Sequence, residues 1–133
     1  STMNRILHTM LRVFNIEKSK MFYTKILGMD VLRTFDRPEQ GFSLTFLGNA
    51  KESETCVLEL TYNYGIDKYE LGNAFGHIAI GVDDCYTTCD QIKALGGNIE
   101  REAGQLAGSD EVIAFVEDPD GYKIELIQKD FAS

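Results

Sequence analysis

The chain has 133 residues, 44% of them hydrophobic and 26% charged, the size and balance expected of one compact globular domain. Its formal net charge of −8 disfavours nucleic acid and anionic membrane as partners. There is no apolar run of about 18 residues and no basic, apolar leader, so a membrane-spanning or secreted reading is set aside in favour of a cytoplasmic one. Three cysteines is an odd count. Cys85 and Cys89, one helical turn apart on an apolar face, are expected to be small core residues in a reducing compartment rather than a disulfide. Ser1-Thr2, ahead of Met3, is given no structural meaning.

In chain order, HTMLRV (8–13) alternates and reads as a strand. A helix signal follows: Asn15 as N-cap, Glu17 in the first turn, Phe22, Tyr23, Ile26 and Leu27 on one apolar face, and Gly28 as the stop. VLRTF (31–35), FSLTFLG (42–48) and CVLELTY (56–62) read as three strands. A connector over 65–75 lies within a stretch rich in Asn and Gly. HIAIGV (77–82) then restarts the series. Asp83 or Asp84 caps a helix whose face is Cys85, Cys89, Ile92 and Leu95, and Gly96-Gly97 end it. NIERE (98–102), EVIAFVE (111–117) and YKIELIQ (122–128) read as strands, with AGQLAGSD (103–110) expected to be a flexible surface loop.

The order is the same twice. Module 1 spans about residues 4–64 and module 2 about 76–130 of a single domain, 1–133. Each is strand–helix–three strands, too small to bury its sheet alone. The expected fold is therefore α+β: two βαβββ modules forming a curved, partly closed sheet with helices outside.

The repeat also sets four polar residues in matching places. His8 and His77, the chain's two histidines, open the first strand of each module; Glu59 and Glu125 interrupt the apolar last strands. A lone strand histidine or glutamate is usually a satisfied surface or core residue. Four at equivalent positions is a different matter, because two carboxylates among apolar neighbours need a compensating charge. A divalent cation supplies it. Two imidazoles and two carboxylates suit Ni, Co, Zn, Fe or Mn rather than copper or calcium. Four protein ligands leave an octahedral ion two positions for water or substrate, which points to catalysis rather than a closed structural site.

LHTMLRV, FYTKILGM, TCVLELTYN, GHIAIGVDD and FVEDPDGYKIELIQ together resemble glyoxalase I, the lactoylglutathione lyase, of the bacterial type, in the vicinal-oxygen-chelate superfamily. The resemblance runs from about residue 5 to 129. It implies isomerisation of the methylglyoxal–glutathione hemithioacetal to S-D-lactoylglutathione, with glutathione as co-substrate and methylglyoxal detoxification as the role. It further implies that His8, Glu59, His77 and Glu125 ligate the metal, and that the chain forms a homodimer with sites at the subunit interface. His8 and Glu59 would then come from one chain, His77 and Glu125 from the other. Arg12 matches the family's carboxylate-binding arginine, and Asn63 the asparagine that hydrogen-bonds the same peptide. Glu125 is the first choice of proton-transferring base, with Glu59 its symmetry-related partner. The short chain and compact connector resemble the nickel- and cobalt-activated members, so Ni(II) is favoured over Co(II) and Zn(II).

One departure matters. The resemblance expects a lysine in the loop before FVEDPDG, and this sequence has Ala107, followed by Gly108, Ser109, Asp110 and Glu111. A cation for the thiol's glycyl carboxylate is missing and acid stands nearby, which leaves room for a cationic thiol such as a polyamine conjugate. Glutathione ranks first because Arg12 and Asn63 remain. The rivals on the same architecture are an Fe(II) extradiol dioxygenase, which would use two histidines and one carboxylate, and a metal-free small-molecule-binding module.

Overall fold

The computed structural model describes residues 3–131; Ser1 and Thr2 lie outside them. Two compact units divide at Tyr69/Glu70. The first contains β1 (His8–Val13), α1 (Ile16–Met21), β2 (Asp30–Arg37), β3 (Phe42–Gly48) and β4 (Val57–Asn63). The second contains β5 (Ile78–Val82), α2 (Cys85–Ala94), β6 (Ile99–Gln105), β7 (Val112–Glu117) and β8 (Lys123–Gln128). Each is a βαβββ unit built on an open four-stranded sheet, ordered β1-β4-β3-β2 and β5-β8-β7-β6. The first strand runs parallel to the last, and the remaining pairings are antiparallel. This is the α+β class and the doubled module expected from the repeat.

Local chemistry sets the helices. The Asn15 side chain accepts the Lys18 backbone N–H at 3.1 Å. Of the two aspartates at the second helix, Asp84 is the cap: its Oδ1 accepts from Tyr86 N at 2.9 Å and Thr87 N at 3.1 Å. The bond from Thr87 leads in holding the Asp84 carboxyl below its usual range. Gly28 and Gly96, at φ 73° and 77°, supply the left-handed residues on which each helix stops. Two details differ from the sequence expectation. The first helix continues as a π-helical segment over Phe22–Ile26, wider than the 3.6-residue period assumes. Leu95 does not join the buried face of α2; it is the C-cap and is 62% exposed.

Each sheet has two unlike faces. In unit 1, Leu11, Val13, Leu47, Leu58 and Leu60 are buried with Ser19, Phe22 and Tyr23. In unit 2, Ala114, Val116, Ile124 and Leu126 are buried with Cys85, Cys89 and Ile92. The other face carries the histidines and glutamates. Edge strands β2 and β6 each carry a register shift just before an arginine, between Val31 and Arg33 and between Ile99 and Arg101. A second shift follows in β6, where Arg101 donates to the carbonyls of Gly104 and Ile113 at 3.3 and 3.1 Å. The glycine-rich 103–110 segment is less free than its composition suggests. Residues 103–105 extend β6, and the turn beyond is closed by Leu106 N donating to Glu111 O at 2.8 Å. No helix among the described residues is long and apolar enough to cross a membrane.

Candidate metal centre

Parallel pairing of β1 with β4 sets Met10 opposite Glu59, so His8, two residues earlier, shares the Glu59 face one pleat away. His8 Nε2 lies 3.0 Å from Glu59 Oε1. On the other side β3 brings Phe46 opposite Glu59, and its ring meets the imidazole edge-on, with centroids 5.8 Å apart at 82°. The Arg33 guanidinium lies over the Phe46 ring, 3.8 Å from its centroid. It is fixed there by a two-point pairing with Glu52, Nε–Oε2 2.6 Å and Nη2–Oε1 3.0 Å, which holds the Glu52 carboxyl below its usual range. Thr61 Oγ1 donates to Glu59 Oε2 at 3.3 Å.

The second unit repeats the arrangement. Glu125 stands opposite Ala79 on β5 and Phe115 on β7. His77, directly before β5, places Nε2 3.2 Å from Glu125 Oε1. Phe115 meets this imidazole edge-on, at 5.3 Å and 76°. In both pairs the carboxylate is the sheltered member and the imidazole the open one: side-chain exposure is 14% and 18% for Glu59 and Glu125, against 41% and 40% for His8 and His77.

These dimensions fit a metal. Two donors about 2.1 Å from one ion, at right angles to each other, lie about 3.0 Å apart. Both His–Glu separations, 3.0 and 3.2 Å, are compatible with that value and equally with an ordinary N–H···O contact, so the donor chemistry rather than the distance points to a metal. The donor atoms are imidazole nitrogen and carboxylate oxygen, with no thiolate among them. Each unit supplies two such donors. Among the described residues, no group of three or more His, Cys, Asp or Glu side chains able to hold an ion is assembled.

The remaining expected site residues fall beside the first pair or in the β6–β7 turn. Arg12 is exposed on β1 and in register with Thr61, on the same face as His8. Asn63 ends β4 on that face too, and its Nδ2 donates to Tyr69 Oη at 3.0 Å, leaving the amide a second N–H. Ala107 is exposed in the turn that joins β6 to β7. The acid next to it is partly balanced: Lys129 Nζ lies 3.7 Å from Glu111 Oε2. Sequence reasoning passed over Phe46, Phe115, Arg33 and Thr61. A signal for the two phenylalanines was available, since the 69 residues that separate His8 from His77 also separate Phe46 from Phe115.

Residues 5–126 match the model of the Glyoxalase/Bleomycin resistance protein/Dioxygenase superfamily. The chain is 58% identical over 125 residues to the lactoylglutathione lyase of Escherichia coli O157:H7, covering 94% of this chain and 93% of that one. Glyoxalase I from Zea mays superposes with a TM-score of 0.88 at 46% identity over 94% of this chain; the chain spans 44% of the maize protein. The trypanothione-dependent glyoxalase I of Leishmania major superposes with a TM-score of 0.84, also at 46% identity, covering 95% of this chain and 87% of that one. With its doubled βαβββ architecture and a match across almost its whole length, the chain belongs to the Glyoxalase/Bleomycin resistance protein/Dioxygenase superfamily.

Proposed function

We propose that this chain is a lactoylglutathione lyase that isomerises the methylglyoxal–glutathione hemithioacetal to S-D-lactoylglutathione, and so detoxifies methylglyoxal. The observation that carries this reading is the matched pair of His–Glu half-sites in a chain 58% identical to a lactoylglutathione lyase over 94% of its length.

His8, Glu59, His77 and Glu125 would hold one divalent ion, with Ni(II) favoured over Co(II) and Zn(II). When bound, the ion would supply Lewis-acid stabilisation of the negative charge that develops on the substrate's oxygens as the C1 proton leaves. The chain's own groups do the rest. Glu125 accepts the proton from C1 and returns it at C2, with Glu59 its symmetry-related partner. Arg12 pairs with a glutathione carboxylate, and Asn63 hydrogen-bonds the same peptide through its second amide N–H. The edge-on phenylalanines restrict the tilt of each imidazole, so the ring presents Nε2 towards the carboxylate.

Two donors per unit make a complete set of four when unit 1 of one chain meets unit 2 of a partner, and we take the working form to be a homodimer of that kind. Within each chain, module 1 (about 4–64), a connector (65–75) and module 2 (about 76–130) act as one glyoxalase domain. Three free cysteines favour the cytoplasm.

The test is to strip the protein of metal, restore Ni, Co, Zn, Mn or Fe(II) one at a time, and follow thioester formation from methylglyoxal and glutathione. Activity should return best with Ni(II), while Zn(II) binds and gives little. Thioester formation by the stripped protein, or none with any ion, would overturn the reading.

A further inference from the structure

We propose that Thr61 is a positioning residue that makes the two His–Glu pairs unequal, tethering Glu59 as the fixed carboxylate of the set and leaving Glu125 able to swing. This rests on the lyase reading above and deepens it.

Glu59 is held at both ends of its carboxylate. Oε1 faces His8 Nε2 at 3.0 Å, and Oε2 accepts from Thr61 Oγ1 at 3.3 Å. The second contact is loose for an O–H···O bond, so it orients the group rather than gripping it. Thr61 is itself well held: it is 9% exposed on β4, with β1 on one side and β3 on the other, and its branched Cβ limits rotation about χ1.

The repeat provides an internal control. Two residues beyond Glu125, on the same face of β8, stands Ile127, which has no hydroxyl. Among the described residues no hydrogen bond from Ile127 or any other neighbour orients the second oxygen of Glu125. The nearest cation along the same strand face, Lys123, is committed to Glu100 at 3.0 Å. The two glutamates therefore share a strand position, a histidine and a phenylalanine, but only one of them has a tether.

A tethered carboxylate surrenders less side-chain freedom when it ligates, which favours holding the ion. A carboxylate that must leave its place, take a proton from one carbon and release it at the next gains from having no tether. The difference assigns holding to Glu59 and movement to Glu125.

Three variants test this in the full-length protein. Thr61→Val removes the hydroxyl at nearly constant volume, Thr61→Ser keeps it, and Ile127→Thr installs one beside Glu125. The readouts are the rate of Co(II) release to a chelator, the visible absorption of the Co(II) protein, and kcat and KM measured separately. Thr61→Val should release Co(II) about 10-fold faster with an altered absorption band, and Thr61→Ser should restore both. Ile127→Thr should lower kcat severalfold at unchanged KM, because it tethers the carboxylate that has to move. Wild-type release and spectrum in Thr61→Val, or a Thr61→Ser variant as defective as Thr61→Val, would overturn the tether. If the stripped protein forms thioester, or none of Ni, Co, Zn, Mn or Fe(II) restores activity, the lyase reading fails and takes this inference with it; wild-type protein that is active with Ni(II) but binds no Co(II) overturns this inference alone.

Discussion

Cys56, Cys85 and Cys89 carry the same functional group in different surroundings. Cys56 is exposed, whereas Cys85 and Cys89 are fully and almost fully buried under the second sheet. Burial pushes the Cys85 thiol up to about 11 and raises Cys89 as well, so neither forms appreciable thiolate near neutrality. In the native protein at pH 8, Cys56 alone should react rapidly with a thiol reagent such as dithionitrobenzoate, the other two only after unfolding. Rapid reaction at a second site would show that α2 opens readily. The sign of the pH effect follows from the raised value. The stability that comes from keeping Cys85 neutral is fully present below the ordinary thiol range and is lost as pH rises towards about 11. At the same scale, Glu59 and Glu125 were legible in the sequence because a charge stands out in an apolar strand. Thr61 was not, since a threonine in a strand is unremarkable until the strand's face is known.

The β6–β7 turn is the element on which thiol preference is expected to depend. Ala107 is exposed there, ahead of Gly108 at φ 78°, in a turn closed by backbone hydrogen bonds that do not involve the Ala107 side chain. Ala107→Lys should therefore leave the melting temperature unchanged. It should lower KM for the glutathione hemithioacetal by about fivefold at most, since an exposed charge pair contributes about 1 kcal/mol or less, and kcat should stay the same. An unchanged KM would mean that the turn does not reach the substrate. The Lys129–Glu111 pair already reduces the acidity that the sequence suggested for this region, which keeps the expected gain small. Elements in general were readable where one signal dominates. The alternation of HTMLRV and FSLTFLG gives β1 and β3 with their exact bounds. The errors came where two signals compete. Gly104 made residues 103–105 look like loop, but cross-strand pairing and Arg101 hold them in β6. Leu95 fitted the apolar face of α2 by spacing, but the helix ends there.

At the scale of the whole molecule the chain carries two His–Glu pairs, and if each is half of a site shared between subunits, as proposed, activity should behave accordingly. On the proposed homodimer, replacing His8 or His77 by alanine would remove a ligand from every site and should abolish activity. Mixing the two inactive proteins under subunit exchange should restore it. Half of the randomly formed dimers are mixed, and each mixed dimer has one intact site, so about a quarter of wild-type activity is expected. Strictly intrachain sites predict no recovery at any mixing ratio. Composition and repeat were enough to read the class and the doubling, and the repeat also singled out the two His–Glu pairs that strand pairing brings together. How the two pairs come together was implied by the resemblance alone, because strand pairing places only one histidine beside one glutamate and the rest depends on which surfaces meet.

The register shifts in β2 and β6 have one more consequence, for aggregation. A bulged edge lined with charge is a poor template for an added strand. β2 presents Asp30, Arg33, Asp36 and Arg37 along one open edge, and β6 presents Glu100, Arg101 and Glu102. The opposite edges have neither defence: β1 is regular with a single charge at Arg12, and β5 reads IAIGV with none. Indiscriminate fibre-like stacking is discouraged at β2 and β6. Among the described residues, β1, which begins with His8, and β5, which follows directly on His77, each end their sheet with no strand paired beyond them.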